Sequence, residues 1–211
     1  MASKPVDLRE FPKLKVNQLK VPEFFEEDIE YIMAPYGLVR DRVLRMTEDL
    51  NADYSGKEPM VLIVADGANK FYHDLIYRSD LKFAHDPRNV LISRYGKSGS
   101  RSNEKPKIMM KDPEDMKGRD LIVIEDVIDE GATLGGFISF IEQFSPNSMK
   151  IAVLLDKKEK RLPEYKSIKY GYGGFIIPDE FVVGYGLDFK NKYRDLKHIG
   201  VLKPESYENK I

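Results

Sequence analysis

Short apolar runs alternate along this chain with segments in which apolar residues recur at helical spacing. The runs predict buried strands at 61–65, 89–93, 121–124 and 149–155. Helical spacing predicts helices over 39–50, through 71–76 and from 134 to 144. Strands that alternate with helices predict an α/β fold with a central, mostly parallel sheet flanked by helices.

The pattern is less regular at both ends and in one internal stretch. Residues 1–26 contain several prolines and predict an extended arm, and a helix is predicted after the acidic cluster 26–28. Short strands are predicted at 175–177 and 181–183. Residues 94–107 are polar and rich in Gly, Ser and basic residues, which predicts a long loop of the kind that often forms a lid.

The segment 121–133 joins an apolar run to carboxylates and a glycine. Glu125 and Asp126 follow four aliphatic residues, and Asp129 and Gly131 precede the helix that starts near Thr133. A helix N-terminus binds phosphate through its N–H groups and dipole, and glycine lets the backbone come close. Carboxylates beyond a strand accept hydrogen bonds from ribose hydroxyls and hold a hydrated divalent cation. The segment predicts a sugar-phosphate site; an ordinary strand–helix turn with solvated acids is the alternative.

Two motifs resemble those of a known family. Residues 125–133, Glu-Asp-Val-Ile-Asp-x-Gly-x-Thr, resemble the phosphoribosyl-pyrophosphate motif of type I phosphoribosyltransferases. Residues 181–188 and 193–196 look like the purine-binding end of the hypoxanthine-guanine branch of that family. The resemblance extends from about Pro35 to Pro204. A chain of 211 residues is expected to form a single domain over 1–211. The expected layout is a core at about 27–165 and a small hood formed by 1–26 and 166–211.

The resemblance also implies an activity. Family members convert hypoxanthine or guanine and phosphoribosyl pyrophosphate to IMP or GMP and pyrophosphate, with Mg²⁺ as cofactor. The residue matching Asp129 lies by the purine N7 and assists proton movement, and Lys157 matches a lysine that donates to the exocyclic O6. Tyr95 matches a loop tyrosine that closes over the transition state. Asp156 and Lys158, beside Lys157, are expected to be surface residues.

Binding positions follow from the same resemblance. Phe181 is implied to stack on the purine, and Val182 to offer backbone groups to its edge. The implied contacts are Glu125, Asp126, Glu130, Gly131, Ala132 and Thr133 for the ribose 5′-phosphate; Lys157, Phe181, Val182 and Asp188 for the purine; Asp66, Gly67 and Arg194 for pyrophosphate; and Glu125, Asp126 and Asp188 for the metal. The choice among hypoxanthine, guanine and xanthine stays open.

Three positions depart from the family pattern. The family has a basic residue and an unusual cis peptide in the first loop, where this chain has Asp66, and Thr or Ser in the phosphate loop, where it has Glu130. Arg94 replaces the serine before the lid tyrosine. Carboxylates near phosphate sites weaken binding by Coulomb repulsion, although Lys70 and basic lid residues are candidates to compensate. The alternatives are therefore a weakly active or inactive paralogue that binds purine nucleotide or a protein partner, and a relative acting on another base.

Composition further narrows the possible partners, metal sites and location of the protein. The formal net charge of −1 argues against nucleic acid or an anionic membrane as partner. The chain contains no cysteine, which excludes disulfides and thiolate metal sites. Neither a transmembrane stretch nor a signal sequence is evident, so a cytoplasmic location is expected. Family members are usually dimers or tetramers, which implies a homodimer or homotetramer.

Overall fold

The computed structural model describes residues 3–77, 80–93 and 106–208. The strands are β1 (Val6–Asp7), β2 (Ile29–Ala34), β3 (Met60–Ala65), β4 (Asp86–Ser93), β5 (Lys107–Met109), β6 (Asp120–Ile128), β7 (Ser148–Asp156), β8 (Tyr172–Ile176), β9 (Val182–Val183) and β10 (Ile199–Leu202). The α-helices are α1 (Glu23–Glu26), α2 (Tyr36–Tyr54), α3 (Ala68–Ile76), α4 (Ala132–Glu142) and α5 (Pro204–Tyr207). Short 3₁₀ helices cover Val16–Gln18, Pro113–Met116 and Pro163–Tyr165.

The central sheet has the strand order β1-β8-β7-β6-β3-β4-β5 within the described residues. Its neighbouring strands run parallel except for β4 and β5, which are antiparallel. The helices predicted over 39–50, 71–76 and 134–144 correspond to α2, α3 and α4. The predicted α/β fold is therefore confirmed, with a mostly parallel sheet at its centre.

Helices bury this sheet on both faces. Ile63 of β3 packs in the cluster that contains Val43 of α2 and Phe71 of α3. The preceding residue, Leu62, packs with Phe137 of α4 in a separate cluster. Successive side chains of a strand point to opposite faces, so a strand buried on both sides is apolar throughout. The continuous aliphatic runs identified these strands in the sequence for that reason.

A second, smaller sheet is antiparallel and has the order β2-β10-β9. Phe25, Ile32 and Val183 belong to the cluster of buried residues beneath it. The helix predicted after the acidic cluster is wrong, because α1 ends at Glu26 and strand β2 follows. Every residue of β2 except Glu30 is buried, and the strand pairs with β10 near the other end of the chain. Local spacing did not reveal so distant a partner.

The strands of the two sheets do not follow the predicted core and hood ranges of the chain. β1 and β8, from the ranges predicted as hood, pair in the central sheet, while β2, from the range predicted as core, pairs in the small one. Whether the small sheet and its flanking segments act as a separate hood stays a prediction.

The predicted lid falls mainly on residues 94–105, outside the described residues, and Tyr95 lies with it. β5 occupies the end of the predicted loop and pairs with β4. In the described part of the chain, no helix combines the length and apolar character needed to cross a membrane.

Candidate active site

Strand β6, which lies between β7 and β3 in the central sheet, carries the paired carboxylates Glu125 and Asp126. The sequence placed Glu125 and Asp126 just beyond the strand, but β6 continues to Ile128, and Glu125 pairs with Val153 of β7. That boundary prediction was wrong. An acidic side chain does not by itself end a strand, because the backbone can still pair with β7 whatever the side chain is.

Glu125 and Asp126 both lie where the ionised carboxylate is disfavoured, Glu125 buried and Asp126 half-buried. Glu125 is 6% exposed, and its Oε2 atom has no hydrogen-bond partner among the described residues. Burial, reinforced by the charge of Asp126, raises the pKa of Glu125 well above its usual value. Burial also raises the pKa of Asp126 to about 6, although Asp126 accepts a 2.7 Å hydrogen bond from the N–H of Val127. A ligand that donates hydrogen bonds or brings positive charge would stabilise both groups.

The loop after β3 lies directly against Asp126. The Ala65–Asp66 peptide bond in this loop is cis. A Cβ added to Gly67 would lie 1.6 Å from Oδ2 of Asp126, so only glycine fits while Asp126 keeps its position. The Asp66 residue is exposed, and its backbone oxygen accepts the N–H of Asn69 at 3.3 Å. Gly67, one of the residues predicted to bind pyrophosphate, thus lies against the carboxylate of Asp126.

The turn from β6 to α4 forms the predicted phosphate loop. Gly131 is the N-cap of α4 and has φ +87°, a left-handed conformation that glycine adopts without steric cost. A Cβ at Gly131 would meet Cβ of Tyr165 at 2.7 Å. Ala132 and Thr133 begin α4, and the first N–H groups of a helix have no partner within it. This helix start is suited to phosphate.

Asp129 belongs to a group of four side chains of alternating charge, which we call the charge square: Asp129, Lys157, Lys160 and Asp179. Nζ of Lys157 lies 3.3 Å from Oδ1 of Asp129 and 3.4 Å from Oδ1 of Asp179. Nζ of Lys160 lies 3.2 Å and 2.9 Å from the same two atoms. Oδ1 of Asp129 is buried, and its contacts are ion pairs rather than directional hydrogen bonds.

The pKa directions agree with this pairing. Burial lowers the pKa of Lys160, but the hydrogen bond to Asp179 and the charge of Asp129 outweigh burial and raise that pKa above its usual value. Burial raises the pKa of Asp179, and the hydrogen bond from Lys160 and the charge of Lys157 overcome that effect and lower it. Lys160 is therefore an ammonium and Asp179 a carboxylate at neutral pH.

Two cavities meet beside the charge square. One, of about 230 Å³, is lined by the continuous segment 125–134. The other, of about 350 Å³, is lined by Asp126, Val127, Asp129, Lys157, Lys160, Phe181, Val182, Leu187 and Asp188. The two share Asp126, Val127 and Asp129 in their linings, so they lie side by side. The first has the carboxylates and helix start that suit a ribose phosphate, and the second combines apolar and charged walls.

The second cavity contains the residues predicted for the purine. The ring of Phe181 stacks on Tyr207, with centroids 4.7 Å apart and planes at 22°, and Phe189 packs edge-on at 5.3 Å. Val182 is 8% exposed and pairs with Val201 in the small sheet. The small sheet thus supplies the apolar wall of this cavity.

Asp188 and Arg194 form a pair at the edge of the same cavity. Nη2 of Arg194 lies 2.8 Å from Oδ1 of Asp188, and Nη1 donates to the backbone oxygen of Gly186 at 2.7 Å. A Cβ at Gly186 would lie 2.8 Å from the backbone oxygen of Gly67. The Arg194 charge acts to lower the pKa of Asp126. The predicted pyrophosphate residues therefore converge from the first loop and the C-terminal segment.

Comparison with known proteins agrees with this arrangement. A family model described as a phosphoribosyl transferase domain matches residues 37–190. The chain belongs to the phosphoribosyltransferase family. The resemblance inferred from the two motifs is confirmed.

Relatives of this phosphoribosyltransferase include a much longer protein and one that the alignment covers over almost its whole length. The chain is 38% identical over 185 residues to the Bifunctional protein TilS/HprT of Listeria monocytogenes, covering 88% of this chain but only 28% of that protein's length. It is 36% identical over 184 residues to the Hypoxanthine-guanine phosphoribosyltransferase of Streptococcus pneumoniae, covering 87% of this chain and 99% of that protein. A crystal structure of a Hypoxanthine Phosphoribosyltransferase from Staphylococcus aureus superimposes with a TM-score of 0.77 at 30% identity, covering 89% of this chain and 99% of that one.

The carboxylates of this phosphoribosyltransferase fit a metal ion that takes only some of its ligands from the protein and the rest from substrate and water. Across residues 3–77, 80–93 and 106–208, no group of three or more His, Asp or Glu side chains is close enough to hold a metal ion. Asp126 and Asp188 line one cavity, and the charge of Asp188 helps raise the pKa of Asp126. One or two carboxylates, completed by substrate phosphates and water, are what Mg²⁺ commonly uses.

Several residues around the site had no part in the sequence predictions. Lys160 and Asp179 complete the charge square, and Tyr165 packs on the phosphate loop. The expectation that Asp156 is a surface residue was wrong: it is 1% exposed and paired with Arg161 at 2.9 Å. The run of basic residues after β7 was the available signal, but it did not show which members turn inward.

Lys70, a candidate to compensate for the charge of Asp66, is paired with another carboxylate. Its ammonium group pairs with Asp74 and lies 4.6 Å from the ring centroid of Tyr185. The other candidates for compensation were Arg94, Lys97 and Arg101, which lie outside the described residues.

Proposed function

We propose that this phosphoribosyltransferase is a purine-salvage enzyme that acts on 6-oxopurines. It transfers the 5-phosphoribosyl group of phosphoribosyl pyrophosphate to N9 of hypoxanthine or guanine, giving IMP or GMP and pyrophosphate. The observation that carries the proposal is the pair of cavities that meet at Asp126, Val127 and Asp129. One matches a ribose 5′-phosphate, the other a base, and the shared wall lies where the new glycosidic bond would form.

Each side chain has a task in that reaction. The start of α4 binds the 5′-phosphate through its N–H groups, with Gly131, Ala132 and Thr133 in the turn. Glu125 and Asp126 accept hydrogen bonds from the ribose hydroxyls. These bonds favour the ionised carboxylates, which burial otherwise opposes.

The base is held and deprotonated in the second cavity. Phe181 stacks on the purine, Val182 offers backbone groups to its edge, and Lys157 donates to the exocyclic oxygen. Asp129 accepts the proton from N7 as N9 attacks the anomeric carbon. Pyrophosphate leaves against Gly67 and Arg194, whose forked guanidinium suits paired phosphate oxygens. Tyr95 would close over the site with the lid.

Mg²⁺ is the expected cofactor. Asp126 and Asp188, which line one cavity, would hold it, and Glu125 is the third candidate ligand. The ion supplies positive charge that neutralises the departing pyrophosphate. We also expect a homodimer or homotetramer located in the cytoplasm.

An inactive nucleotide-binding paralogue is the less favoured alternative. Glu130 lines the phosphate cavity, which is the observation in its favour. Against it stands the 36% identity over 99% of a relative named as a hypoxanthine-guanine phosphoribosyltransferase. The exposure of Asp66 also gives that carboxylate room to turn into solvent, away from a bound pyrophosphate.

The test is product formation from phosphoribosyl pyrophosphate and Mg²⁺ with hypoxanthine, guanine, xanthine or adenine. We expect equal amounts of nucleotide and pyrophosphate from hypoxanthine or guanine and none from adenine. The double variant Asp66→Lys, Glu130→Thr is assayed beside the wild type. A weak wild type that gains activity sharply in this variant would favour the paralogue instead.

A further inference from the structure

The ammonium of Lys157 is already engaged before any base arrives. It lies 3.3 Å from Asp129 and 3.4 Å from Asp179, and the residue is only 7% exposed. In the proposed reaction this ammonium must turn to the exocyclic oxygen of the purine. That movement withdraws positive charge from two carboxylates, one of which is the proton acceptor.

Lys160 contacts the same two carboxylates from the other side. Its Nζ lies 3.2 Å from Asp129 and 2.9 Å from Asp179, and its side chain is about a third exposed, at 32%. It lines the base cavity together with Lys157. Lys160 can therefore keep both carboxylates paired while Lys157 is occupied with the base.

The backbone holds Lys160 in place. The N–H of Lys157 donates to Ile128 at 2.9 Å, and the N–H of Lys160 donates to Lys157 at 3.0 Å. Further along, the N–H of Leu162 donates to the backbone oxygen of Glu130 at 3.0 Å. The segment after β7 is thus fastened to the end of β6 before Lys160 and to the phosphate loop after it.

We propose that Lys160 is a positioning residue of the base site, which holds Asp129 and Asp179 and so releases Lys157 to bind the purine. The inference rests on the proposed function. Without Lys160, two carboxylates compete with the base for one ammonium. Phosphoribosyl pyrophosphate binds mainly in the other cavity and does not meet this competition.

The test is the Michaelis constant of each substrate in Lys160→Gln. We expect KM for hypoxanthine to rise about tenfold, the scale of one partly buried charge-assisted hydrogen bond. KM for phosphoribosyl pyrophosphate should stay within about twofold of wild type. Lys160→Arg should restore the hypoxanthine KM, because it returns a cation to the same place. Lys158→Gln is the matched control, since Lys158 is an exposed neighbour outside the charge square.

A second variant tests the competition itself. Asp179→Asn removes one of the two competing carboxylates, so the double variant Lys160→Gln, Asp179→Asn should bind hypoxanthine better than Lys160→Gln alone. The inference is overturned if Lys160→Gln behaves like Lys158→Gln, or if both KM values rise together. Absence of wild-type turnover would refute the proposed function instead. In that case the calorimetric Kd for IMP is compared among Lys160→Gln, Lys160→Arg and Lys158→Gln, and weaker binding in Lys160→Gln alone supports the inference.

Discussion

The carboxylate of Asp126 occupies the space that a side chain at Gly67 would need, since a Cβ there would lie 1.6 Å from Oδ2. This contact joins the loop after β3 to the middle of β6. In the proposed function, the two elements carry residues for different parts of one substrate, the pyrophosphate and the ribose. The loop after β3 can approach β6 this closely only because Gly67 has no side chain.

Gly67→Ala should reduce kcat/KM for phosphoribosyl pyrophosphate about 100-fold, because a displacement near 1 Å in a catalytic arrangement has effects of that size. Gly37→Ala is the control, since a Cβ at Gly37 meets nothing within 4 Å. Steady-state kinetics of the two variants provide the comparison. Equal kcat/KM values in both would mean that Asp126 yields without consequence.

The phosphate loop offers a similar test. Gly131→Ala forces a left-handed alanine and a clash with Tyr165, whereas Gly56→Ala has only the backbone cost, at φ +73° with open space around it. We expect Gly56→Ala to lose about 1 kcal/mol of unfolding free energy. Gly131→Ala should lose about 1–3 kcal/mol more, from overpacking. Urea unfolding measures both, and similar losses would show that Tyr165 moves aside freely.

The raised pKa of Glu125 predicts a pH-dependent stability. Because the folded state holds this proton more tightly than the unfolded state, stability falls as pH rises from about 4.5 through the raised pKa. Glu125→Gln removes the effect and should stabilise the protein by about 1 kcal/mol or more at pH 8, and by nothing near pH 4.

Unfolding free energies across this pH range test the Glu125 prediction, with the exposed Glu142→Gln as control. A stability difference that does not change with pH would contradict the assigned cause. The same substitution removes the proposed acceptor for the ribose hydroxyls, so it should also weaken the binding of phosphoribosyl pyrophosphate.

The buried ion pair of Asp156 and Arg161 fastens the segment that carries the charge square. Nε of Arg161 donates to Asp156 at 2.9 Å, and Nη1 donates to the backbone oxygen of Ile168 at 2.7 Å. Arg161→Met strands a buried carboxylate and should cost about 3–5 kcal/mol. Arg9→Met breaks exposed pairs and should cost far less. Thermal unfolding of the two variants distinguishes them, and equal losses would refute the structural role of Arg161.

Much of the fold could be predicted because strands such as β3 and β6 are largely buried on both faces. Runs such as 61–65 and 121–124 are aliphatic throughout, and β3 and β6 formed where they were expected. β2 was mistaken for a helix, because its partner β10 is distant in sequence and its apolar run is short. Local pattern also ended β6 too early, at the carboxylates.

Only those site residues that match positions of the family pattern could be predicted from the sequence. The motif around Asp129 predicted a turn that lines one cavity, and the segment from Phe181 predicted residues that line another cavity with Asp129. Lys160 and Asp179 belong to no motif, and only the fold brings them to Asp129. The inward turn of Asp156 was likewise invisible, because its partner Arg161 lies in an irregular loop.

The most direct test of the central claim is kcat for IMP formation by wild type and by Asp129→Asn under saturating substrates. The account predicts wild-type turnover and a loss of about 10²–10⁴-fold in the variant, the usual worth of a positioned proton acceptor. It also predicts that the variant still binds IMP by calorimetry. No wild-type turnover, or equal kcat in both proteins, would contradict the assignment of Asp129 and of the site around it.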